Sequence, residues 1–206
     1  MIKDVNGFIV RINAGGQDFG LTMGSGGTRE IPGNITIDLL DHENVDICGD
    51  IFEVLANLKD DSITSIYASH FIEHVQNLDS LLNEIVRVSR HGAKIRLIAP
   101  HFSNAFFYSD VTHRNFFGLY TFCYLADDRT NFVRKVPSYA RIQHLALMKV
   151  RLGFKSYRPF YVRHAFRRIF GMLVNSSAYM MELYEESFNS FLSCYEIEYV
   201  IIVDKQ

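Results

Sequence analysis

The chain has 206 residues, 48% hydrophobic and 14% aromatic, with a formal net charge of −2. That length suits a single domain, 1–206, and the apolar fraction excludes a disordered polyelectrolyte. No run approaches 18 uninterrupted apolar residues, so no spanning helix is expected. Cys48, Cys123 and Cys194 are odd in number, far apart and form no CxxC pair, as expected of reduced thiols. The start, Met1 to Gly7, lacks the basic-then-apolar form of a signal peptide, so a cytoplasmic location is expected. The small net charge hides a segregation: Arg129 to Met181 holds eleven Lys or Arg and no acid, leaving ten against 23 acids elsewhere. A basic C-terminal half points to an anionic partner.

In chain order, residues 7–22 read as a strand or hairpin turning at Gly15-Gly16. Phe19 to Thr28 is an apolar run closing in a glycine turn. Gly24, Gly26 and Gly27 there allow positive φ and close approach of a ligand to the backbone. Between Gly27 and Gly33 there is no room for a crossover helix, since a parallel connection normally takes about a dozen residues. The first crossover is therefore a loop reversed by Pro32-Gly33, which counts against a dinucleotide fingerprint. Residues 34–39 form a strand ending in Asp38, placed to accept ribose hydroxyls or to serve as a turn acid. Residues 45–49 are a weaker strand before Asp50, which could orient an adenine amino group, cap the helix of 51–59, or do both.

Ile63 to Ser69 is a central parallel strand. Asn77 caps a helix carrying Leu78, Leu81, Leu82, Ile85 and Val86 on one face, with Gly92 as its stop. Lys94 to Ala99 is the next strand, closed by Pro100. Farther on, 145–152 alternates weakly as a strand, 161–175 is a basic amphipathic helix, 178–192 another helix, and 196–203 a final antiparallel strand beside the last pair. Alternating strands and helices predict an α/β, Rossmann-like, mainly parallel sheet with helices on both faces. Ligands of such sheets bind beyond the strands' carboxyl ends. That makes 1–100 a cofactor-binding half and 101–206 an acceptor-side half.

The glycine turn with Pro32-Gly33 and Asp38, the stretch Ile66-Tyr-Ala-Ser-His-Phe-Ile-Glu-His-Val75 and the stretch Val88 to Pro100 together resemble class I S-adenosylmethionine (SAM) dependent methyltransferases, most closely the type 11 group. About half of the chain carries the resemblance. It implies SAM as cofactor, held by Gly24, Ser25, Gly26, Gly27, Asp38, Leu39, Asp50, Ile51, Ser69 and His70. One departure stands out. The acid usual two places before the first glycine, which helps hold the methionine end, is Thr22.

Methyl transfer from a sulfonium asks the protein to align nucleophile and methyl and to remove one proton. Histidine is the simplest base near neutral pH. His113, oriented by Asp110, is the first candidate and His101 the second, although Asp110 to His113 is equally good capping chemistry. His101, Asp110 and His113 could also hold a metal, but they form no dense ligand motif, and no metal site is assigned. Glu73 and His74 read as structural. The basic helix 161–175 could lie on an anionic membrane surface, grip a substrate phosphate, or be a solvated face. No RNA-binding motif accompanies it, and nucleic acid is disfavoured. The type 11 resemblance extends to members in surface-polysaccharide pathways, so the expected reaction is O-methylation of a glycan, sugar nucleotide or other small phosphorylated acceptor. Alternatives are a small-molecule or nucleic-acid methyltransferase, or a scaffold that has lost turnover.

Overall fold

The computed structural model describes residues 2–137, 140–156 and 159–205. Eight strands form one sheet: β1 Gly20–Met23, β2 Ile35–Asp38, β3 Ile47–Cys48, β4 Ile63–Ser69, β5 Ser89–Pro100, β6 Asp127–Asp128, β7 Leu145–Gly153 and β8 Glu196–Val203. Their order is β3-β2-β1-β4-β5-β8-β7-β6. The first five strands are mutually parallel. β8 runs antiparallel to both of its neighbours and lies between β5 and β7.

Burial follows position in this order. Leu21, Thr22 and Met23 of β1 are all buried, so both faces are covered there. In β8, Ile197, Tyr199, Ile201 and Val203 are buried while the residues between them are half-buried, the alternation of a sheet better covered on one face than the other. Residues 24–34 contain turns and no helix, so β1 passes to its parallel neighbour β2 through a loop, as the spacing predicts.

Among the described residues, six α-helices accompany the sheet: α1 Phe8–Ala14, α2 Ile51–Ala56, α3 Leu78–Val88, α4 Thr121–Leu125, α5 Tyr161–Val174 and α6 Ala178–Leu183. Asp50 caps α2 by accepting from the N–H groups of Phe52 and Glu53, and Asn77 caps α3 through Ser80 N–H. On α3, Leu81, Leu82, Ile85, Val86 and Val88 are buried.

Two expectations are corrected. Residues 8–14 are helical rather than part of a hairpin, because the Asp4 carboxylate accepts from Phe8 N–H and Ile9 N–H at 2.8 Å each and supplies the helix with its cap. Helix α3 stops at Val88 rather than at Gly92. Its last carbonyls, on Arg87 and Val88, accept from Asp61 N–H (3.1 Å) and Ser62 N–H (2.8 Å), drawing the chain straight into β5. Gly92, at φ 79°, lies inside that strand. Downstream, α6 gives way to a π-helical turn, Tyr184–Phe188.

Candidate active site

At the carboxyl end of β1, Gly24, Gly26 and Gly27 all have positive φ. A Cβ on Gly24 would lie 2.4 Å from Phe71 Cδ2, so the turn can sit against the β4 exit only without a side chain. Asp38, ending β2, accepts from Gly26 N–H at 2.7 Å and Leu40 N–H at 2.9 Å. Gly49 N–H donates to the Asp38 carbonyl at 2.9 Å, bringing Asp50 beside it. One Asp50 oxygen, Oδ1, takes both helix-capping bonds. Above Gly26 there is open space, and the Ser25 hydroxyl is buried with no hydrogen-bond partner. Thr22, where the resemblance would place an acid, is buried, and its hydroxyl receives Asn34 Nδ2 at 3.2 Å.

The exit of β4 is more strained. His70 has φ 53°, and its ring bonds Glu196 at 3.2 Å and stands 3.5 Å from Glu73. The Glu196 bond first, then the Glu73 carboxylate, push its imidazole up to about 9 against the opposing effect of burial, so it is a cation at neutral pH. Glu196 also pairs with Lys155 at 2.6 Å. These two partners hold its carboxyl below the usual range although burial pushes the other way.

The three acceptor-side candidates separate. His101 has no exposed side-chain surface. Its Nε2 meets Glu185 at 3.0 Å, and its Nδ1 accepts Ser103 N–H at 3.1 Å. It therefore ties the end of β5 to the 184–188 turn. His113 and Asp110 are together, with Nε2 3.7 Å from Oδ2, while His113 Nδ1 donates to the Phe107 carbonyl at 2.8 Å. The His113 ring packs at 4.7 Å from that of His74. Glu73 and His74 thus belong to this cluster, which spacing along the chain gave no reason to expect.

Helix α5 turns an apolar stripe outward. Val162, Phe166, Ile169, Met172 and Leu173 are exposed, whereas Gly171 and Val174 are buried. Between α5 and the less covered face of β5, β8 and β7 lies a cavity of about 630 Å³ that Arg96, Arg151, Lys155, His164, Arg168 and Glu196 help to line. Arg96 pairs with Glu198, whereas Arg151 and Arg168 form no ion pair among the described residues. Arg158, a further basic residue of this stretch, lies outside the described residues.

Residues 34–97 match the family model described as a methyltransferase domain. The matched segment is less than a third of the chain, and the fold around it is shared with SAM-dependent methyltransferases of known structure. A SAM-dependent methyltransferase from Archaeoglobus fulgidus is 15% identical, with 96% of this chain and 93% of that one covered at a TM-score of 0.55. A protein from Galdieria sulphuraria assigned as a sarcosine dimethylglycine methyltransferase is 11% identical over 97% of this chain and 82% of its own, at 0.51. One from Bacillus halodurans assigned as a methyltransferase is 12% identical over 97% and 98%, at 0.50. No curated protein sequence matches the chain. The cofactor of those methyltransferases is SAM, and the residues present here fit it. The glycine turn leaves space at Gly26, the Ser25 hydroxyl lacks a partner, and two carboxylates stand at adjacent strand ends.

Proposed function

We propose that the chain transfers a methyl group from SAM to a hydroxyl of a glycan, sugar nucleotide or other small acceptor bearing phosphate. The observation that carries the reading is the junction of glycine turn, Asp38 and Asp50 at the carboxyl ends of β1, β2 and β3. Gly24 to Gly27 and Ser25 would receive the cofactor's methionine and ribose side. Asp38 and its neighbour Leu39 would take the ribose, and Asp50 with Ile51 the adenine. Ser69 and His70 would border its sulfur. The bound cofactor supplies an electrophilic methyl. The remaining tasks fall to the chain: excluding water, orienting the acceptor, and accepting its hydroxyl proton at His113 Nε2.

An anionic acceptor is supported by the cavity under α5, where Arg151 and Arg168 are cations without acidic partners among the described residues. Glu196 links it to the transfer end by bonding both Lys155 and His70. The outward apolar stripe of α5, flanked by Arg163 and Arg168, supports peripheral contact with an anionic membrane face that would present a lipid-phosphate-linked sugar. No helix among the described residues is long and apolar enough to cross a membrane.

The test is calorimetric titration of SAM and S-adenosylhomocysteine into wild type and Asp38→Ala, followed by an acceptor screen starting with phosphorylated sugars. Binding weakened by about a hundredfold in the variant, as expected for charge-assisted bonds to two hydroxyls, supports the cofactor site. Absence of binding to wild type would instead favour the scaffold reading, for which the buried Thr22 at the acid's position is the specific observation.

A further inference from the structure

We infer that Glu73, His74 and His113 bind a divalent transition-metal ion of the zinc class, with Asp110 at the rim as a further donor. Hydrogen bonding assigns the tautomers. The Phe107 carbonyl can only accept, so His113 Nδ1, 2.8 Å away, carries a proton and Nε2 a lone pair. Thr112 gives its hydroxyl proton to the Asp110 carboxylate at 2.6 Å, and therefore accepts at 2.8 Å from His74 Nδ1. His74 Nε2 is then also a lone pair. A hydrogen bond fixing Nδ1–H and leaving Nε2 free is how proteins orient metal-binding imidazoles.

Glu73 supplies the independent observation. It is 1% exposed, and neither carboxylate oxygen has a hydrogen-bond donor. A buried carboxylate without hydrogen-bond donors is unfavourable unless positive charge surrounds it, and the His70 imidazolium supplies such charge on one side only. His70, 3.5 Å from one oxygen, is a charge contact rather than a hydrogen bond. On the other side the same oxygen faces His74 Nε2 at 3.9 Å. Two acceptors at that separation gain nothing from each other, and an ion about 2 Å from each would fit the gap. The ligand atoms of Glu73, His74 and His113 lie within 4.8 Å of one another. Asp110 Oδ2, 3.7 Å from His113 Nε2, stands next to the set.

The donor chemistry selects the ion. Two imidazoles and one or two carboxylates suit zinc, cobalt or iron(II), whereas magnesium and calcium prefer all-oxygen surroundings. Such an ion would clasp the 72–74 turn after β4 to the 105–113 segment after β5. With the ion in place His113 is a ligand and not a free base. The ion would then acidify a coordinated acceptor hydroxyl, whose proton would pass to solvent water in place of His113 Nε2.

The experiment uses the full chain, free of any affinity tag, stripped with chelator and exchanged into metal-free buffer. Cobalt(II) is titrated and followed by visible d–d absorption, then displaced with zinc or challenged with excess magnesium. One cobalt per chain, displaced by zinc and not by magnesium, is the expected result. Glu73→Gln should weaken binding by at least about a hundredfold, and Thr112→Val, which removes only the bond orienting His74, by about tenfold. Circular dichroism of the metal-free variants reports their folding, and Thr112→Val carries the test should Glu73→Gln unfold. Absence of stoichiometric cobalt binding, or equal binding by wild type and both variants, would overturn the site. Titrating S-adenosylhomocysteine into the stripped protein reads the methyltransferase proposal separately. If the chain binds S-adenosylhomocysteine but fails to take up cobalt, only the metal site is overturned; if it takes up cobalt but not S-adenosylhomocysteine, the metal site stands.

Discussion

Two sets of side chains meet at the carboxyl end of the sheet, and they are held in different ways. On the side proposed to hold the cofactor, Asp38 and Asp50 are fixed by backbone N–H groups, those of Gly26 and Leu40 for one and Phe52 and Glu53 for the other. On the acceptor side, side chains fix one another over long separations, His74 with Thr112 at 38 positions and His101 with Glu185 at 84. Backbone donors stay in place as long as the strands do. A side-chain web shifts when any member changes, so it is the adaptable half. Sharing a rigid cofactor cradle while differing in the web is a physical route by which one fold accommodates many acceptors.

Gly24→Ala should break the rigid half most severely. A side chain at φ +63°, 2.4 Å from Phe71 Cδ2, combines backbone strain with overpacking, and about 3 kcal/mol of stability should be lost. The urea midpoint would fall with the m-value unchanged, and an unaltered midpoint would refute the contact. Glu185→Gln strikes the adaptable half. Its Oε2 takes both His101 Nε2 and Leu119 N–H at 2.8 Å. Losing the charge while keeping the shape should cost about 1–2 kcal/mol, with S-adenosylhomocysteine affinity unchanged by calorimetry. Arg168→Ala should change stability by no more than about 0.5 kcal/mol while raising KM for a phosphorylated acceptor about tenfold. An unchanged KM would place the phosphate elsewhere.

The smallest effect concerns Asp46, beneath the cofactor half. Burial pushes its carboxyl up, but the Arg29 guanidinium and the N–H and hydroxyl of Thr36 together hold it below the ordinary value. A depressed folded-state value means that its contribution is complete above the ordinary carboxylate range and fades as pH falls through the folded one. Asp46→Asn should therefore flatten the acid limb of stability, measured as urea midpoints between about pH 6 and about pH 3.

The contrast also explains what could be read in advance. Strands such as Ile63–Ser69 and Glu196–Val203 were legible to the residue because β-branched runs ended at turn signals. Asp38 and Asp50 were legible as strand-end acids because their surroundings lie nearby in the chain. The segment 8–14 was not, since a short apolar run suits strand and helix alike until Asp4 closes on its N-terminus. Nor was the role of His101, which depends on Glu185 far along the chain, or the inclusion of Glu73 and His74 with His113. A histidine's surroundings are set by whatever the fold brings across, and local spacing contains no record of it. The outward turn of α5's apolar stripe was hidden for a similar reason: amphipathicity marks two faces without saying which one packs.

The position of β8 has a consequence for how the chain is made. It is the last of the eight strands in sequence, yet it fills the gap between β5 and β7. During synthesis from the N-terminus, β5 and β7 must each wait with an open, hydrogen-bonding edge until residues 196–203 leave the ribosome. Until that moment the sheet is two separate pieces, each carrying an edge able to recruit a strand from another chain. Insertion of one alternating strand of eight residues, Glu196–Val203, joins the pieces and removes both hazards at once.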